Sequence, residues 1–122
     1  MSKYEGRTTK ILQFRGNIWP IVDEWAQNNE CVLTEQEQNS RTYQRGAGNF
    51  APANMYRISW DGSNYALEAW LYFGKWLRVH NLFIFPEEVI IDGGGTKGRP
   101  ARNKAKNHAN QLLQALGEPR IQ

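Results

Sequence analysis

From Thr8 to Phe14 apolar and polar side chains alternate closely enough for a β-strand, and Gly16-Asn17 closes the run. The period then changes. Ile18, Val22, Trp25 and Ala26 recur at three- and four-residue spacing, which predicts a helix with one apolar face. Asn17 is placed to cap that helix and Asn28-Asn29 ends it, while Asp23, Glu24 and Gln27 form its polar face. Cys31 to Glu35 reads as a strand, and the polar stretch Gln36 to Gln44 as a long exposed hairpin or a strand pair at a sheet edge. Gly46–Asn49 and Ala51–Asn54 make a loop, after which Tyr56, Ile58 and Trp60 alternate with Arg57 and Ser59 in a half-buried strand. Asp61-Gly62 is a tight-turn signal. The next strand, Tyr65 to Phe73, puts Tyr65, Leu67, Ala69, Leu71 and Phe73 on one face and Glu68, Trp70 and Tyr72 on the other. These two strands form a hairpin in which Glu68 is either edge-exposed or paired with Arg57 of its neighbour.

Beyond this hairpin Leu82, Phe83, Ile84 and Phe85 run together until Pro86, which predicts short strands on either side of the proline. Gly93-Gly94-Gly95 opens a loop through Gly98, and Pro100 stands as the first residue of a helix. Ala101, Ala105, Ala109, Leu112, Leu113 and Leu116 repeat at helical spacing, and Gly117 with Pro119 stops them. Strand, helix, several antiparallel strands, helix is an order that excludes a doubly wound parallel sheet, which needs a helix between successive strands. The expectation is an α+β fold: a single curved antiparallel sheet packed by an N-terminal-half helix and a C-terminal helix, both on one face. Residues 1–122 form one domain in this reading, a length that needs neither metal nor disulfide to fold.

Composition supports a packed core, since 40% of residues are hydrophobic and five are tryptophan. Cys31 is the single cysteine, which excludes an internal disulfide and a paired metal or redox motif and suggests an inert buried thiol. The first residues lack the apolar core of a signal peptide, and Glu68, Lys75, Arg78, Glu87 and Glu88 interrupt the longest apolar region. A cytoplasmic protein without a membrane span is expected.

Charge adds one feature. The net charge is +3, and Lys97 to Lys106 alone holds five basic and no acidic residues. A glycine-rich loop feeding a helix start can bind an anion through free N–H groups and the helix dipole, although the segment fits neither the Walker nor the dinucleotide pattern. Basic residues crowd a helix end that prefers Asp or Glu, so Lys97, Arg99, Arg102 and Lys106 are the candidate contacts for an anion or a nucleic acid. The competing reading is a solvated helix face beside the apolar stripe. Trp60, Trp70, Tyr72 and Trp76 with Arg57, Lys75 and Arg78 offer a second candidate, a base-stacking platform, against the plainer reading of core or partner-binding aromatics.

Catalytic chemistry finds little to build on. His80 and His108 sit in no ligand or triad pattern, and adjacent Glu87 and Glu88 on an extended segment point to opposite faces, away from a shared task with Asp92. Neither cofactor nor metal is implied.

Tyr43-Gln44-Arg45-Gly46-Ala47-Gly48, Ala51-Pro52, Leu67-Glu68-Ala69-Trp70, Phe85-Pro86-Glu87-Glu88, Gly93-Gly94 and the closing helix together resemble small uncharacterised bacterial proteins, especially cyanobacterial ones. The resemblance spans most of the chain and implies a self-contained domain with these loops and this helix, and no activity, cofactor or catalytic residue. The reading that follows is a non-enzymatic interaction module whose partner is another protein, with anion or nucleic-acid binding by the basic helix start as the alternative.

Overall fold

The computed structural model describes residues 7–46, 52–72, 88–89, 91 and 99–121, with the side chains at 88, 89 and 99–101 outside that description. In chain order the elements are β1 (Thr8–Leu12), α1 (Trp19–Asn28), β2 (Val32–Glu37), β3 (Ser40–Arg45), β4 (Ala53–Trp60), β5 (Tyr65–Tyr72), the two-residue β6 (Glu88–Val89) and α2 (Arg99–Ala115). The strands form one antiparallel sheet in the order β1-β5-β4-β3-β2, with β6 on β5. The fold is α+β, as the order of elements predicts. Strands β2 to β5 are a meander. The path from β1 to β2 instead crosses the whole sheet, because the meander brings β5, not β2, back beside β1. Helix α1 makes that crossing.

Both helices cover one face. There the register sets Leu33, Tyr43, Tyr56, Ala69 and Thr8 in one row across the strands, and Gln36, Arg41, Ile58, Leu67 and Lys10 in the next. Ile18, Val22, Trp25 and Ala26 of the α1 region and Ala105, Ala109, Leu112, Leu113 and Leu116 of the α2 region, all of them buried, close over the Tyr43, Tyr56, Ala69, Ile58 and Leu67 part of these rows, while Leu33 and Gln36 of β2 stay exposed. The small alanines let α2 approach closely enough for the buried Tyr56 hydroxyl to donate to the Ala105 carbonyl at 2.9 Å. The Trp25 ring meets Tyr56 edge-on with centroids 5.0 Å apart and Tyr43 at 6.2 Å, and its indole N–H donates to the His108 carbonyl at 2.8 Å.

Local chemistry explains the boundaries. Asn17 accepts the Trp19 N–H at 3.2 Å, so its side chain serves the helix start although Ile18 is the capping position in the backbone sense. At the other end of the fold Gly117 takes φ +73°, and the Glu118 and Gly117 N–H groups return to the Leu113 and Gln114 carbonyls. This αL cap stops α2 as its sequence predicts. Asp61 closes the β4–β5 turn by accepting the Asn64 and Ser63 N–H groups at 2.7 Å each, bonds that lower its carboxyl pKa.

Four expectations shift. Strand β2 runs Val32–Glu37, starting one residue later and ending two residues later than the expected Cys31 to Glu35. Strand β1 ends at Leu12, before Phe14. Ala53 and Asn54, read as loop, extend β4 because they pair with Tyr72 and Leu71. Helix α2 begins at Arg99, so Pro100 lies within its first turn. Of the strands expected around Pro86, β6 is described; the remainder of that segment and the Gly93–Gly98 loop lie outside the described residues. No helix among the described residues is long and apolar enough to cross a membrane.

Leu112 is fully buried under α2. Leu112→Ala should therefore cost about 2–5 kcal/mol through lost contacts and a residual cavity. Chemical denaturation measures it, and a change below about 0.5 kcal/mol, the range of surface substitutions, would place Leu112 outside the core.

Candidate functional site

The face of the sheet opposite the helices carries a cluster of polar side chains around Glu68. Alternation along each strand places three rows on it: Val32, Gln44, Met55 and Trp70; Glu35, Thr42, Arg57, Glu68 and Thr9; Glu37, Ser40, Ser59, Ala66 and Ile11. A register shift between Leu33 and Glu35 makes the first row possible to join with the others. Strict alternation would put Val32 and Glu35 on opposite faces; the extra residue, Thr34, turns both to the helix-free side.

Glu68 is the electrostatic centre. Arg7 donates to it at 3.4 Å, and Arg57, directly across on β4, lies 4.0 Å away. Arg57 also donates to the Ser40 hydroxyl at 3.4 Å. The Arg7 guanidinium lies 3.6 Å from the Trp70 ring centroid, a cation–π contact over a ring that is only 4% exposed. Arg7, Thr34, Glu35, Glu37, Thr42, Met55, Arg57 and Trp70 surround an open cavity of about 420 Å³. Its walls thus combine Met55 and the edge of the buried Trp70, two guanidiniums held by one carboxylate, and two exposed glutamates at the β2 rim.

The residues anticipated from charge are distributed differently. Arg102 is 7% exposed and lies on the face of α2 that carries Ala105, Ala109 and Leu112. It therefore does not lie on a solvated helix face beside the apolar stripe: three residues before Ala105 and seven before Ala109, it shares their side of the helix. Lys106 is half-buried. Arg99 begins α2 with its side chain outside the description, and Lys97 lies outside the described residues. The stacking platform is divided by register. Trp60 sits opposite Tyr65 on the helix side, ring centroids 4.7 Å apart, whereas Trp70 sits opposite Met55 on the helix-free side. Trp76, Lys75 and Arg78 lie outside the described residues.

His80, Glu87 and Asp92 also lie outside them, and β6 holds Glu88. His108 belongs to the junction of the two helices. Asn29 donates its amide to the Trp25 carbonyl at 2.9 Å, which leaves its Oδ1 to accept from His108 Nδ1 at 2.5 Å. Among the described residues no three His, Cys, Asp or Glu side chains are grouped to hold a metal ion.

Sequence reasoning reached the Arg57–Glu68 pair through cross-strand spacing. It missed Arg7, Thr34, Glu35, Glu37, Thr42 and Met55. The available signal was Glu35 and Glu37 at alternate positions of a strand, a pattern that puts two carboxylates on one face; which face depended on the bulge. Compared with known families and curated proteins, the chain matches no family model and no curated sequence.

His108 and Cys31 each yield a measurement. Burial, then the Arg45 and Lys104 charges, lower the His108 pKa below its ordinary 6.5, against a smaller opposing effect of Glu30. Above pH 6.5 the imidazole is neutral folded and unfolded, and its full contribution is present. As pH falls from 6.5 through the lower folded value the unfolded chain binds the proton first, so stability decreases. Denaturation at pH 7.5 and 5.5 should show a loss that His108→Asn, which keeps an N–H donor near Asn29, reduces; an identical loss in both proteins would assign the pH dependence elsewhere. Burial pushes the Cys31 thiol from 9.0 up to about 11, partly offset by Arg45. The folded protein should react with a thiol reagent about 100-fold more slowly than the unfolded chain at the same pH, from thiolate fraction alone, and equal rates would contradict a shielded thiol.

Proposed function

We propose that this protein is a non-enzymatic interaction module, working in the cytoplasm, that receives a protein partner on the helix-free face of its sheet. The observation that carries this reading is the open cavity between β2 and β5, with Met55 in its lining and opposed charges around it. Met55, Arg7 and Arg57 in its lining belong to residue types that are enriched at protein interfaces. Glu68 is engaged by Arg7 and faces Arg57, an arrangement that holds a surface in shape instead of presenting a free base.

Anion or nucleic-acid binding by the start of α2 has less support. Of its four candidate residues, Arg102 is buried and Lys106 half-buried.

Met55 projects into the cavity from β4 and is only partly covered. Met55→Glu should abolish capture of the partner from nuclease-treated lysate of the source cells. Gln111→Glu, on the exposed side of α2, should leave capture unchanged. Retention by both variants removes the helix-free face as the interface, and capture that disappears on nuclease treatment of the wild type transfers the function to the basic helix start.

A further inference from the structure

Strand β2 is an edge of the sheet: β3 is its one ladder partner among the described residues, and all six of its side chains are exposed. An edge strand leaves a row of backbone N–H and C=O groups without sheet partners on its outer side, a template on which another strand can pair. Val32 is 64% exposed and Leu33 42%, so two of the large apolar side chains that the fold leaves in water lie on this edge. The bulge at Thr34 turns Val32, Glu35 and Glu37 to one face, and no salt bridge to either glutamate forms among the described residues.

This combination selects its occupant. A second copy of β2 would bring four carboxylates to one short joint, and like charges across strands are destabilising. A basic strand has the opposite effect. Residues two apart on a strand stand about 6.6–6.8 Å apart on one face, so Lys or Arg at alternate positions of an added strand matches the spacing of Glu35 and Glu37. The intervening positions fall on the other face, where an apolar residue would lie beside the exposed Leu33. We propose that β2 accepts, by strand addition, an extended segment of a protein partner that carries Lys or Arg at alternate positions. The proposal rests on the interaction-module reading and names the partner's chemistry.

Two labelled hexapeptides test it, one alternating Lys with Val and the other Glu with Val, titrated against the full chain by fluorescence anisotropy and by amide NMR. The Lys/Val peptide should bind, move the Val32–Glu37 amide resonances and slow their hydrogen exchange, while the Glu/Val peptide should not. Replacing both carboxylates, Glu35→Gln with Glu37→Gln, should weaken binding about 2- to 30-fold, the range of two exposed ion pairs. Both positions are exposed, so circular dichroism should show an unchanged fold. Absence of Lys/Val binding, equal binding of the two peptides, or resonance changes away from β2 would each overturn the proposal. If Met55→Glu abolishes partner capture while the Lys/Val peptide fails to bind, strand addition falls and the helix-free interface stands. If capture is indifferent to Met55→Glu but the peptide binds β2, the interface reading falls and the edge alone is the docking element.

Discussion

The contact between Trp25 and Tyr56 joins the three parts of this fold. Trp25 comes from α1, Tyr56 from the middle of the sheet, and each sends its one polar hydrogen to α2, to the carbonyls of His108 and Ala105. Two large aromatic side chains are buried this way without leaving a donor unpaired, the condition under which burying Trp and Tyr is favourable. The alanine face of α2 is the counterpart. Ala105 and Ala109 hold the helix backbone close enough to the sheet for a tyrosine hydroxyl to reach it, and larger side chains there would lift the helix away from both donors.

With α1 and α2 fixed on one side, the chemistry of the other side follows. The sheet has two faces and one hydrophobic load, so the residues of opposite parity are free to be polar. They form a connected surface because the strands are in register: Glu35, Thr42, Arg57, Glu68 and Thr9 follow one another across five strands. Arg57 and Arg7 approach Glu68 from two sides, and Arg7 lies over Trp70. Partly screened from water, such pairs hold their geometry better than isolated surface ion pairs. A prearranged surface of this kind has little side-chain freedom left to lose.

His108 illustrates how a residue type associated with catalysis can be claimed by packing. Its Nδ1 meets Asn29, whose amide in turn holds the end of α1 through the Trp25 carbonyl, and Arg45 donates to the Asn29 carbonyl at 3.0 Å. The imidazole is thus one link between α2 and the α1–β2 turn. Burial and cationic neighbours disfavour its charged form, which ties the helix junction to pH.

Much of this architecture was legible in the chain. The period of Ala105, Ala109, Leu112 and Leu116, with Gly117 after it, specified α2 and its stop, because helical spacing and the αL cap are local properties. Alternation around Asp61-Gly62 specified the β4–β5 hairpin, and with it the Arg57–Glu68 pair, since a tight turn sets register over short range. What the tertiary structure decided is what local pattern cannot encode. It placed β1 beside β5, bringing Arg7 to Glu68 and Trp70 across some sixty residues of chain. It turned Arg102 into the packed side of α2, although its charge reads as surface. It also inserted a bulge at Thr34 that joined Val32 to Glu35 and Glu37 on one face, because which side of a strand is buried is settled by what packs against it and not by the strand's own sequence.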